Sequence, residues 1–216
     1  MLPGGCGSGE RPPCLLSSLH RSPRTGHLLY SSRDVACPPW SAPKLPRPTA
    51  LRVLSLAVCP VVIIRGGEVS LRPQKGEVVA GVPTEENEAE AVLDFAFRAA
   101  AAHGVPLRAA RAWDLPAMFT NRSGVLGLSN RPGELEGEHR RELIALLKPW
   151  RRRYPDIAVT EHLELGFAAE MLVSLAAGAQ LLVVGRSLRT GSRYVGHVVH
   201  STLHFANAPI AVVPTK

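Results

Sequence analysis

The chain has 216 residues, 45% of them apolar, enough for one ample core or for a domain with an appendage. Its formal charge of +7 is unevenly spread: residues 1–75 hold ten Lys plus Arg against three Asp plus Glu, whereas residues 76–216 hold fifteen of each. The positive charge therefore belongs to a solvated leader and does not point to nucleic acid, and the longest early apolar run, "VLSLAVCPVVII", is well short of the ~20 residues of a membrane span and carries a proline.

Residues 1 to about 48 are dense in Pro, Gly, Ser and Arg, with no sustained period of 2 or 3.6, so they cannot repay their ordering entropy by burial. We expect residues 1–56 to be a disordered or degenerate leader. It shows neither an amphipathic targeting helix nor a positive-then-apolar signal. Cys6, Cys14, Cys37 and Cys59 match neither zinc-ribbon nor redox-pair spacing and read as free thiols in a reducing cytoplasm. Residues 57–75 contain "AVCPVVII", which echoes "ANAPIAVV" (residues 206–213) in its small residue, proline and strand.

From Gly76 onward apolar runs alternate with amphipathic ones, the signature of β-α-β units around a parallel sheet. "EVVAGV" is the first strand. "ENEAEAVLDFAFRAAAAHG" is a helix with acids in its first turn, Ala89, Val92, Phe95, Ala96 and Ala99 on one face, and Gly104 as its stop. "VPLRAARAW" is the second strand, followed by a loop of about twenty residues, a length that is usually functional or mobile. The next helix, "ELEGEHRRELIALLKPWRRRY", turns Leu143, Ile144 and Leu147 inward and leaves Arg151, Arg152 and Arg153 in water. "DIAVTEHLEL" is the third strand, with Ile157, Val159 and Leu163 facing inward. After it come the short apolar helix "FAAEMLVSLAAGA", the buried strand "QLLVVG", a glycine-bearing loop, a helix from about His197 to Asn207, and the closing strand "PIAVV". Met171 and Trp113 are expected in the core. Five strands and four helices in strict alternation predict a doubly wound α/β domain over residues 76–216.

The runs "VVAGVPTEENEAEAVLDFAFRAAAAHGVPLRAARAWDLP", "YPDIAVTEHLELGFAAEMLVSLAAGAQLLVVG" and "LHFANAPIAVV" resemble the universal stress protein family, in the tandem form common in actinobacteria. The resemblance covers residues 76–216 almost completely. It implies a five-stranded parallel sheet of strand order 3-2-1-4-5, helices on both faces, and a fold related to the adenine nucleotide α-hydrolases. "CPVVIIRGG" then looks like the last strand of a preceding copy, with residues 65–75 as linker, although what precedes it does not resemble the rest of such a copy. In this family the final strand lies at the sheet edge and pairs with its counterpart, which implies a homodimer or pairing with the chain's own remnant strand.

In the nucleotide-binding branch of the family, the fourth strand is followed by glycine, two residues, glycine, nine residues, glycine and then Ser or Thr, whose amides and hydroxyl contact phosphate. By this resemblance Gly185 takes the first position, Leu188 stands where the second glycine belongs, Gly196 is the third, and His197 replaces the hydroxyl residue. The loop is two residues short. Ser187, Gly191, Ser192 and Val198 complete the cradle. Pro83 stands where the branch carries an aspartate for the nucleoside, and proline offers neither carboxylate nor backbone donor. Arg186, Arg189 and Arg193 are the residues left to pair with phosphates. The resemblance thus implies a regulatory, non-enzymatic protein of the stress response with weak or absent ATP binding. The alternatives are an ATP-binding stress sensor and a nucleotide-hydrolysing enzyme of the same fold group.

Other groups point to less. His197, His200 and His204 lie at i, i+3 and i+7 of one helix, and the first two have a spacing that a metal can share. No cysteine or matched carboxylates accompany them, so surface or cap histidines and no metal are expected. Ser192 and Ser201 have no acid to orient a base, so no catalytic set is expected. "WRRRY" sits at a helix end, where it complements the dipole.

Overall fold

Short β-rich runs bounded by glycine or proline alternate with helical segments, and each buried strand offers one row of side chains to each face of the sheet. The computed structural model describes residues 18–21, 28–31, 48–64, 76–114, 131–188 and 195–215. In chain order the elements are β1 (Ser18–Arg21), β2 (Leu28–Ser31), α1 (Pro48–Leu56), β3 (Val61–Ile64), β4 (Val78–Gly81), α2 (Glu86–His103), β5 (Leu107–Trp113), α3 (Arg131–Arg153), β6 (Val159–Leu165), α4 (Ala168–Ala176), β7 (Leu181–Ser187), α5 (His197–Phe205) and β8 (Ile210–Thr215).

The expected core of the sheet is present: β6-β5-β4-β7-β8, all parallel, which is the order 3-2-1-4-5. The sheet is wider than expected, with eight strands rather than five among the described residues. β3 lies antiparallel on β8 with Val61 opposite Val212 and Ile63 opposite Ile210, β2 runs parallel to β3, and β1 antiparallel to β2. The reason is the apolar β8, whose outer edge would otherwise present unpaired N–H and C=O groups.

Alternation along the strands builds two cores. Val78, Ala80, Leu107, Ala109, Leu181, Val183 and Val213 pack under α2 and α3, whereas Val79, Ala110, Leu182, Val184 and Val212 pack under α4, α5 and α1. α2 buries Ala89, Val92, Phe95 and Ala96 as expected and ends on Gly104, whose left-handed φ of 64° lets its N–H reach the Ala100 and Ala101 carbonyls. Phe97 stacks on Trp150 and Tyr154 at ring separations of 5.7 and 5.4 Å, tying α2 to α3. Trp113 and Met171 are buried.

Three expectations are corrected. Ile144 is exposed, because Leu143 and Leu147, one turn apart, fill the inward stripe of α3. Arg151 is half-buried rather than solvated: its Nη2 donates to the Val159 carbonyl at 2.9 Å and to Glu161 Oε1 at 2.6 Å, fixing α3 to the edge strand β6. The leader is not without order through residue 56: Ser18–Arg21 and Leu28–Ser31 add β1 and β2 to the sheet, and Pro48–Leu56 forms α1. Ala50 and Leu54, at i and i+4, enter the core beside Val199 and Leu203, so this stretch does own a short apolar face.

Candidate functional site

β4 and β7 are neighbours whose crossover helices α2 and α5 leave on opposite faces, so their carboxyl ends frame the switch-point crevice where open α/β sheets bind ligands. Pro83 stands there, half-buried, two residues beyond β4. Its ring packs close to Gly185: a Cβ on Gly185 would meet Pro83 Cγ at 3.6 Å, Thr215 Cγ2 at 3.3 Å and Val92 Cγ2 at 3.1 Å. Glycine is needed at 185 for close packing.

Gly185, Arg186 and Ser187 belong to β7 rather than to the loop after it. They stand opposite Val213, Pro214 and Thr215 of β8, and the Leu188 N–H donates to the Thr215 carbonyl at 2.9 Å. The strand runs on because β8 supplies partners up to Thr215. Arg186 is buried on the α1 side of the sheet, where its guanidinium donates to the Ser55 carbonyl at 3.5 Å and to the Ala57 carbonyl. It serves the carboxyl end of a helix, where the dipole is negative, and its burial pulls its pKa below the usual arginine value. At the far end of the loop, Gly196 is the N-cap of α5 with φ 87° and ψ 148°, a conformation suited to glycine. Among the described residues no side chain caps this helix, His197 is exposed and Val198 half-buried, and the first-turn amides have no intrahelical acceptor. Gly191 and Ser192, with Arg189 and Arg193, lie outside the described residues.

A cleft of about 640 Å³ lies beside the crevice, on the α2–α3 face, lined among others by Thr84, Glu90, Arg111, Glu142, Trp150 and Arg153. Arg111 is its base and was read from the sequence only as a strand residue. It shares a face of β5 with Leu107, Ala109 and Trp113 and is 2% exposed. The missed signal is a guanidinium at a core-facing parity position. Its Nη2 donates to the Pro83 carbonyl at 2.7 Å, its Nη1 lies 3.6 Å from Glu142 Oε2, and its Nε has no partner among the described residues. Burial pulls the Arg111 pKa down, and Glu142 pulls it partly back. His139 stands 3.6 Å from the same carboxylate and against the Trp113 ring. At the rim, Arg153 lies over Trp150 and Tyr154, 5.9 and 5.6 Å from their centroids. Because the Pro83 carbonyl depends on Arg111, Arg111→Ala is expected to cost about 1–3 kcal/mol, read as a lower melting temperature. An unchanged melting curve would show that this bond contributes nothing net.

The sheet order, the crevice between β4 and β7 and the glycine-capped helix beyond it define an α/β domain of the doubly wound class. Residues 79–214 match the model of the universal stress protein family, and the chain belongs to that family. A universal stress protein of Mycobacterium tuberculosis is 32% identical over 159 residues, covering 72% of this chain and 52% of its own length. A second from the same species is 33% identical over 159 residues, covering 71% and 48%. The chain thus spans about half the length of these curated relatives. Among solved structures, a functionally unknown protein from Pseudomonas aeruginosa superposes with a TM-score of 0.53 at 17% identity, over 78% of this chain and 56% of that one. A universal stress protein from Lactobacillus plantarum gives 0.51 at 15%, over 66% and 99%. At those identities the structures speak to the fold alone. No helix among the described residues is long and apolar enough to cross a membrane.

Proposed function

We propose that this chain is a regulatory, non-catalytic cytoplasmic protein of the stress response, acting through association with itself or with partner proteins, and that its nucleotide crevice is degenerate. The observation that carries the reading is the occupancy of the switch point by the chain's own groups. Pro83 stands in the crevice against Gly185, its carbonyl is taken by Arg111, and Arg186 is committed to the end of α1. A ligand phosphate keeps the open amides of α5, which by themselves are a weak anion site. Losing the carboxylate that Pro83 replaces removes a charge-assisted contact of about 1.5–3 kcal/mol, and Arg186 is not there to make up for it.

The expected result is an ATP dissociation constant above roughly 100 μM by calorimetric titration of the full chain. Submicromolar affinity overturns the reading and favours the ATP-sensor alternative, and time-dependent phosphate release favours the enzyme.

We further infer that residues 57–75 descend from a preceding repeat. β3 pairs with β8 as a counterpart strand would. The match to the mycobacterial proteins also covers more of the chain than lies between Gly76 and Lys216. Self-association through β8 therefore requires displacing β3, and β6 and β1 are the outer strands of the described sheet.

A further inference from the structure

His200 and His204 stand one turn apart on α5, with Nε2 atoms 3.3 Å apart and ring centroids 4.4 Å apart. Sequence spacing alone had matched His200 with His197, but the helix brings it to His204, on the i, i+4 stripe. His200 is exposed and His204 half-buried, so a solvated ion has access to the pair.

The separation of the two nitrogens is informative. The two nitrogens are close enough for one ring N–H to donate to the other ring, so a metal ion would take the place of that shared proton. Two imidazole nitrogens bound to one tetrahedral zinc at about 2.0–2.1 Å each lie about 3.3 Å apart, the spacing found here. Both residues are carried by one helical turn, which keeps their rings side by side. His204 also lies in the last turn of α5, whose dipole favours a cation.

We propose that His200 and His204 form a two-histidine site for a borderline divalent transition ion of the zinc, nickel and copper class. Each ring supplies the Nε2 lone pair, and the imidazole-rich, thiolate-free pair suits these ions over magnesium or calcium. Among the described residues no group of three His, Cys, Asp or Glu could hold a metal. The remaining positions therefore fall to water, which sets micromolar rather than nanomolar affinity.

The test is calorimetric titration of the full chain with zinc chloride after alkylation of its cysteines, which removes competing thiolates. One saturable micromolar site is expected. His200→Ala and His204→Ala should each weaken it roughly tenfold or more. His103→Ala, which removes an α2 histidine paired with Gln180 at 3.2 Å, should leave it unchanged. A readout without variants is nickel-induced broadening of imidazole proton resonances in the parent protein, expected at His200 and His204 before His103. No saturable binding, binding that survives both substitutions, or broadening that spares α5 overturns the site.

Discussion

Val62→Pro is expected to lower the melting temperature by roughly 10 °C and to drive the protein into higher oligomers or precipitate. Val62 is central in β3, opposite Ala211 of β8 on one side and Leu29 of β2 on the other. β3 is thus an interior strand, and proline there removes a ladder donor whichever neighbour it serves. The flanking Val61 and Ile63 are 1% and 9% exposed and join the core under α1 and α5, so the strand cannot shift by one residue without turning them out. Losing a buried ladder bond and the packing of an interior strand places the change among the severe single substitutions, roughly 3 kcal/mol, and in a chain of this size each kcal/mol is worth about 2–4 °C. The second consequence is topological. With β3 displaced, the apolar Ile210–Val213 edge is bare and becomes a template for another chain. Melting by circular dichroism and mass determination by light scattering read the two effects separately. A Val62→Pro variant that keeps the parent's melting temperature and oligomeric state would show that β3 does not cover that edge.

The parts of the fold that were legible in the sequence are those where a single periodicity dominates. The continuous apolar run around Val183 and Val184 reads as a strand buried on both faces and the stripe of Ala89, Val92, Phe95 and Ala96 as a helix face, so a doubly wound domain followed from their alternation, whereas the order 3-2-1-4-5 came only from the family resemblance. α1 was missed because its apolar stripe, in which Val53 packs beside the buried Ala50 and Leu54, is short and surrounded by prolines; its burial depends on a partner that local pattern does not show. The candidate site was legible by position and not by direction. Pro83 stands just beyond β4 and Gly196 caps α5, whereas Gly185 lies inside β7 and not in the loop after it. The aim of a charged side chain, however, depends on strand parity at the edge of a regular element. The extension of β7 through Ser187 put Arg186 in the sheet, and parity then sent its guanidinium to α1. The same rule, applied at Arg111, sent a cation under α2 and α3.

Arg186→Ala should consequently act on stability before it acts on any ligand. Arg186 is 4% exposed, and its guanidinium donates to the Ser55 and Ala57 carbonyls, acceptors at and just past the end of α1 that are left over by the helix. Hydrogen bonds from a charged donor contribute about 1.5–3 kcal/mol each, and the burial of the guanidinium offsets part of that, so a net loss of about 2 kcal/mol is expected. That corresponds to a fall of roughly 4–8 °C in melting temperature. The loss should be local first. α1 is held by Ala50 and Leu54 in the core and by this latch, so with the latch cut, limited proteolysis should open the chain between residues 48 and 64 while residues 76–215 persist as a resistant fragment. Arg186→Lys keeps the charge but cannot reach two carbonyls with one planar fork, and should restore only part of the stability. If instead Arg186→Ala leaves melting and proteolysis unchanged while weakening ATP binding severalfold, the guanidinium serves a phosphate and the latch is not its role.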